Sequence, residues 1–95
     1  MPFEIEFTPE AESDLQQIRP FYRSEIFEAI DSHLRHSPTQ ESRSRIKRLR
    51  LLDSPAYRLR VGDYRVFYDV DAAESVVTVL RVLSKEVALR YLQEK

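Results

Sequence analysis

The chain has no cysteine and no tryptophan, and its 95 residues include one glycine and two histidines. Without cysteine there is neither a disulfide framework nor a thiolate metal site, and two histidines alone are too few donors for a catalytic zinc centre. No metal and no small-molecule cofactor is therefore expected. Long apolar runs are missing too: none reaches the roughly 18 to 20 residues that cross a bilayer. The start of the chain, Met1-Pro2-Phe3-Glu4, is acidic where a secretory signal is basic. These absences argue for a reducing, cytoplasmic setting and against a membrane. A hydrophobic share of 42% is that of a soluble globular chain. So short a sequence cannot fill two cores, which leaves one domain over residues 1–95.

The net charge of −1 conceals a strong polarity. Residues 1–42 carry nine acids and three bases, residues 43–65 eight bases and two acids, and residues 66–95 four bases and five acids. Seven of the eight bases in the middle block are arginine, the side chain suited to two-pronged phosphate contacts. The alternative is a charge run that merely solvates a face.

Periodicity supplies the elements. Phe3, Ile5 and Phe7 alternate with Glu4, Glu6 and Thr8, the period of a strand buried on one side. Thr8 followed by Pro9 reads as a helix N-cap with proline at the first helical position, and Ala11, Leu15 and Ile18 continue that helix. Pro20 stops or bends it. A second helix carries Tyr22, Ile26, Phe27, Ile30 and Leu34 and ends near Ser37-Pro38, which makes a helical hairpin. Residues 39–45 read as an exposed loop. Beyond it, Tyr57, Leu59 and Val61 alternate with Arg58 and Arg60, and Gly62-Asp63 forms a two-residue hairpin turn. Tyr64 to Val70 return. Ser75 to Leu83 is nearly continuously apolar and β-branched, as an interior strand covered on both faces should be. Ser84 caps a last short helix in which Val87, Ala88, Tyr91 and Leu92 share a face. The expected class is α+β, in the order β-α-α-β-β-β-α.

The hairpin turn sets a register. It pairs Val61 with Tyr64, Arg60 with Arg65, Leu59 with Val66, Arg58 with Phe67 and Tyr57 with Tyr68. Directly opposed residues share a face, so one face collects the core residues and the other collects Arg58, Arg60, Arg65, Phe67 and Asp69. Opposed like charges destabilise a ladder by up to ~1 kcal/mol, which makes Arg60 against Arg65 unfavourable without an anion. Neutralisation by Asp69 or by carboxylates of the amino-terminal half is the structural explanation. The functional one is a platform for a phosphodiester backbone and a stacked base.

The acidic strand and helical hairpin, the run Val61-Gly62-Asp63-Tyr64-Arg65-Val66-Phe67-Tyr68-Asp69-Val70, and Val79-Leu80-Arg81-Val82-Leu83 before a short helix resemble the RelE/ParE superfamily of bacterial type II toxins. The resemblance spans essentially the whole chain. It implies an antiparallel-rich sheet with the helical hairpin on one face and the short carboxyl-terminal helix. For the RelE branch it implies a metal-independent endoribonuclease that cuts messenger RNA on the ribosome and is neutralised by a cognate antitoxin. Its cleavage uses the ribose 2′-OH as nucleophile on the adjacent phosphate. Carried over by position, Arg65 stabilises the charge added to phosphorus, and Lys85 and Tyr91 stand where that branch has an arginine and a tyrosine. Arg58 and Arg60 hold RNA, and Phe67 stacks a base or packs under the antitoxin. Arg48 and Arg50 contact ribosomal RNA or an acidic antitoxin.

The sequence departs from that branch around the last helix, where Ser84, Glu86 and Val87 add no base beside Lys85. This favours two alternatives: a ParE-like inhibitor of DNA gyrase without nuclease chemistry, and an inactive toxin fold that only binds an antitoxin. Tyr91 also sits on an apolar helix face, where it can be a packing residue.

Overall fold

The computed structural model describes residues 2–95, so Met1 lies outside it. The chain runs β1 (Glu4–Phe7), α1 (Pro9–Gln16), α2 (Pro20–Leu34), β2 (Ile46–Arg48), β3 (Tyr57–Val61), β4 (Tyr64–Asp71), β5 (Val76–Ser84) and α3 (Lys85–Gln93). Five strands form one sheet in the order β1-β5-β4-β3-β2, antiparallel except for the β1–β5 pair. The α+β class and the order of the expected elements are those read from the sequence. One strand is additional to that order: β2 lies in the basic stretch between the loop at 39–45 and Tyr57, to which the alternation assigns no element.

The helical hairpin packs on one face of the sheet. Ala11, Leu15 and Ile18 join Ile26, Ile30 and Leu34 over Ile46, Leu59, Val66, Tyr68, Val77, Val79 and Val82, all buried. The local chemistry that forms this layer is the expected one. Thr8 caps α1 by accepting from the Ala11 amide at 3.1 Å, and Pro20 opens α2. Arg23 ties the helices together, donating to the carbonyls of Leu15 and Ile18 at 3.0 and 2.8 Å, just where the end of α1 leaves carbonyls short of helical partners. On the opposite face α3, capped by Ser84, sets Ala88 over Phe67 and Leu83, with Leu49, Tyr91 and Leu92 packed around them. The sheet is thus the middle of three layers.

Buried Tyr68 fastens the residues after α2 to this core by donating its hydroxyl to the Pro38 carbonyl at 2.6 Å. Burial pushes the phenol well above its ordinary ionisation range, so the donor stays protonated. Replacing Tyr68 by phenylalanine strands that carbonyl in an apolar surround. The expected cost in urea unfolding is about 1 to 2 kcal/mol with an unchanged fold.

Candidate functional site

The β3–β4 hairpin has the register derived from its alternation. Arg60 is opposite Arg65, Arg58 opposite Phe67 and Tyr57 opposite Tyr68. Gly62 has a φ of +56° and Asp63 does not, which suits a two-residue Gly-X turn. With that register, Arg58, Arg60 and Arg65 share the face that α3 covers only in part. β2 adds a fourth cation, because Lys47 is opposite Arg58.

No carboxylate among the described residues forms an ion pair with this cluster. Among the described residues the ion pairs are Arg35–Asp31, Arg50–Glu41 and Arg81–Asp14, and none involves Arg58, Arg60 or Arg65. Asp69, the carboxylate expected on the same face, accepts instead from the Ser54 hydroxyl and from the Ala56 amide at 2.5 and 2.7 Å. Its carboxylate holds the loop before β3. Arg65 curls onto the turn, donating from Nη1 to the carbonyls of Gly62 and Tyr64 at 2.9 Å each. Arg58 keeps a buried Nε with no hydrogen-bond partner. Both guanidiniums are held below the ordinary arginine value. For Arg58 the cause is burial, followed by repulsion from Arg65 and Arg60; for Arg65 it is burial, then repulsion from Arg60, with Asp63 opposing. A buried, unsatisfied cationic donor beside two like charges is costly in an empty site and favourable in one that holds an anion.

The residues expected to act together are not all brought together. Tyr91 lies on the arginine side of the sheet, half-buried, its ring 5.0 Å from that of Phe67. The Arg81 guanidinium and the Lys95 ammonium stand 5.7 and 4.9 Å from the Tyr91 ring centroid, in cation–π range. Lys85 is exposed and opens α3, and its amide donates to the Asp63 carbonyl at 2.8 Å, which places its backbone at the turn beside Arg65.

One expectation, base stacking by Phe67, requires correction, and Arg48 and Arg50 lie outside the arginine cluster. Phe67 is fully buried under α3, so its ring has no face free for a base. Arg48 pairs with Tyr57, which puts it on the helical face; it stacks over the Tyr57 ring at 5.2 Å and donates to the Ala56 carbonyl at 2.9 Å. Arg50 is bound to Glu41 at 2.6 Å. The cation that does join the cluster from this stretch is Lys47, and the signal for it is parity: it stands one residue from buried Ile46, as Arg58 does from Leu59.

Arg81 was not among the expected residues. Its Nε and Nη2 donate to the two carboxylate oxygens of Asp14 at 2.7 and 3.0 Å, and the Val82 amide donates to the same carboxylate at 2.9 Å. The reason is topological. β1 ends opposite Val79, so the edge of β5 beyond that point has no strand beside it, and α1 supplies an acceptor in its place. Arg81 is thereby pinned, with its ordinary ionisation raised chiefly by the Asp14 hydrogen bonds.

The family profile described as the ParE toxin of type II toxin–antitoxin systems matches residues 5–88, nearly the whole chain. The chain belongs to that family. No curated protein matches it in sequence. Among solved structures, the toxin–antitoxin complex RelBE2 from Mycobacterium tuberculosis contains a chain similar to this one, with TM-score 0.73 and 28% identity over 88% of this toxin and 99% of that chain. A chain of the RelE–RelB complex from Pyrococcus horikoshii gives TM-score 0.73 at 23% identity, covering 90% of this toxin and 97% of that chain. A free mutant of Escherichia coli RelE gives 0.60 at 18% identity, over 96% of this toxin and 92% of that chain. The last two are likenesses of fold. This protein is a type II toxin of the RelE/ParE superfamily, as its hairpin sequence implied.

Proposed function

We propose that this toxin cleaves messenger RNA on the ribosome and that a cognate antitoxin silences it. The observation that carries the reading is the uncompensated cluster of Arg58, Arg60 and Arg65, with an orphaned donor on Arg58. Phosphodiester oxygens supply the acceptors and the negative charge that this cluster lacks. In the proposed step the ribose 2′-oxygen attacks the adjacent phosphorus, a base takes its proton, and the bond to the 5′-oxygen breaks as that oxygen is protonated. The products are a 2′,3′-cyclic phosphate and a free 5′-hydroxyl. Arg65 stabilises the charge that builds on the phosphoryl oxygens, while Arg58 and Arg60 hold the strand. Tyr91, packed on the Phe67 ring opposite Arg58, and Lys85, whose amide bonds the hairpin turn, exchange the two protons in this reading.

Purified toxin added to translating ribosomes should leave truncated messages with cyclic phosphate ends, mapped by primer extension. Tyr91→Phe keeps the packing on Phe67 and removes the exchangeable proton. It should slow cleavage on the order of a hundredfold. The match to the ParE profile favours a second reading, in which the target is DNA gyrase and no bond in RNA is cut. A supercoiling assay run in parallel separates the two. Gyrase inhibited while messages stay intact would overturn the nuclease, and normal growth under toxin expression would overturn both.

A further inference from the structure

Four consecutive residues of β5 are held by the segment that caps and forms α1. The Thr8 amide donates to the Val79 carbonyl at 3.0 Å and the Thr8 hydroxyl to the Leu80 carbonyl at 2.8 Å, while Asp14 accepts from the Arg81 guanidinium and the Val82 amide. The strand is irregular at this point. Phe67 is opposite Arg81 and Tyr68 is opposite Val79, so Leu80 is an extra residue without a partner in β4. Such a bulge resets the alternation. Val79 and Val82, three residues apart, are both buried in the helical layer, and Arg81 stands on the other face with Phe67.

On that face Lys47, Arg58, Phe67 and Arg81 form one row across β2, β3, β4 and β5. Its cations differ in what they meet. Lys47 and Arg58 enter no ion pair among the described residues, whereas Arg81 commits Nε and Nη2 to the two oxygens of one carboxylate. A guanidinium neutralised in this way has little charge left for a phosphate. What it touches is Tyr91, with 5.7 Å to the ring centroid. The two-pronged pair fixes the guanidinium plane, and with it one wall of the space in which the ring lies; buried Phe67, with its ring 5.0 Å away, is another.

We infer that, given the proton-transfer role proposed above for Tyr91, Asp14 is a positioning residue: by clamping Arg81 from α1 it fixes where Tyr91, on α3, presents its hydroxyl. A phenol that moves a proton must stand within hydrogen-bond reach of it, about 2.6 to 3.2 Å. α3 has nine residues and buries only Ala88, so little of its own packing fixes the ring. A misplacement of about 1 Å costs on the order of a hundredfold in rate. The helical hairpin on one side of the sheet thereby takes part in the chemistry on the other, through the edge of β5 that β1 does not reach.

The test follows single-turnover cleavage on programmed ribosomes by the full-length toxin, at a temperature where every variant is folded. Asp14→Asn keeps an acceptor for the Val82 amide and removes the charge that holds Arg81. It should lower the rate at saturation about tenfold and leave the half-saturating ribosome concentration unchanged, because Asp14 lies outside the arginine cluster. In a Tyr91→Phe background the same substitution should change the rate by less than about twofold, since the hydroxyl it positions is already gone. Glu12→Gln, which removes a charge from an exposed site on α1, should cleave like the parent. In the absence of RNA, Asp14→Asn should shift the ring-carbon resonances of Tyr91 in nuclear magnetic resonance spectra and leave those of Tyr22 in place. Parent-like cleavage by Asp14→Asn, the same loss in Glu12→Gln or in the Tyr91→Phe background, or an unmoved Tyr91 ring overturns the positioning role and leaves the nuclease standing. A parent toxin that cuts no message, or Tyr91→Phe that cleaves like the parent, overturns instead the reading of the site on which the role of Asp14 rests.

Discussion

Arg65→Ala should reduce message cleavage by about a hundred- to a thousandfold while leaving the unfolding free energy within about 1 kcal/mol of the parent. The two halves of that expectation have different causes. The loss of activity follows from the charge that develops on the phosphoryl oxygens as the 2′-oxygen adds. A guanidinium already oriented at that charge contributes to the transition state without reorganising, and alanine leaves nothing in its place. Stability changes little because opposing effects cancel. The variant gives up two hydrogen bonds to the carbonyls of Gly62 and Tyr64 at the exposed turn, and it also relieves the repulsion between Arg65, Arg60 and Arg58. Arg65→Lys keeps a charge but loses the planar fork, so it should recover only part of the rate. Single-turnover cleavage on programmed ribosomes and urea unfolding of the same preparations check both halves. A variant that cleaves like the parent would remove Arg65 from the chemistry, and one that loses rate and stability together would make its role structural.

The hairpin that presents Arg65 was the most legible part of the molecule because three local signals agree on it. Strict alternation, β-branched and aromatic residues, and a turn needing a positive φ at Gly62 leave a single register. The caps at Thr8 and Ser84 are equally local, each a hydroxyl accepting from an amide three residues on. What escaped notice depends on elements far apart in sequence. β2 has three residues and only one, Ile46, in the core, too few for a period to show. The burial of Phe67 comes from α3 crossing above it, and alternation along β4 cannot say what lies on the second face. Arg48 and Arg50 looked equivalent to their neighbours in an arginine-rich run, yet pairing with β3 and the position of Glu41 send them elsewhere. Composition is uniform where geometry is not.

The charge polarity shows the same division. Most acids of the amino-terminal half belong to the helical hairpin, which packs on the other face of the sheet from the arginine cluster. Attraction between an RNA and this face is therefore local, since the molecule as a whole carries a net charge of only −1. Binding to the cluster should fall as salt is raised, because exposed charges more than about 8 Å apart are screened at physiological ionic strength.

Asp14→Ala is expected to be the most destabilising single substitution of a charged residue, at about 2 to 4 kcal/mol, with Tm lower by some 10 to 20 °C for a chain of this size. Its carboxylate is largely shielded, with 13% of the side chain exposed, and it serves three donors at once. Alanine leaves the Val82 amide unpaired on a sheet edge that β1 does not reach, and it leaves the Arg81 guanidinium without its anion. Arg81 is a third exposed, so water compensates part of that loss and the cost stays below that of breaking a fully buried pair. Asp14→Asn retains an acceptor for Val82 and should cost roughly half as much. Arg81→Met should cost less than Asp14→Ala, because the carboxylate it leaves behind still accepts from the Val82 amide. If the two residues act as one clamp, the double variant falls well short of the sum of the singles, with a coupling of about 1 to 2 kcal/mol in a double-mutant cycle. The disturbance should also travel. Arg81 lies against the Tyr91 ring at 5.7 Å, so release of Asp14 loosens a contact that holds α3 over the sheet. Amide exchange in α3 should therefore quicken in Asp14→Ala more than in Tyr68→Phe, which weakens the opposite layer. A loss of under 0.5 kcal/mol, or exchange in α3 equal to that of the parent, would show that the pair is a solvated surface contact and that β5 holds its edge without α1.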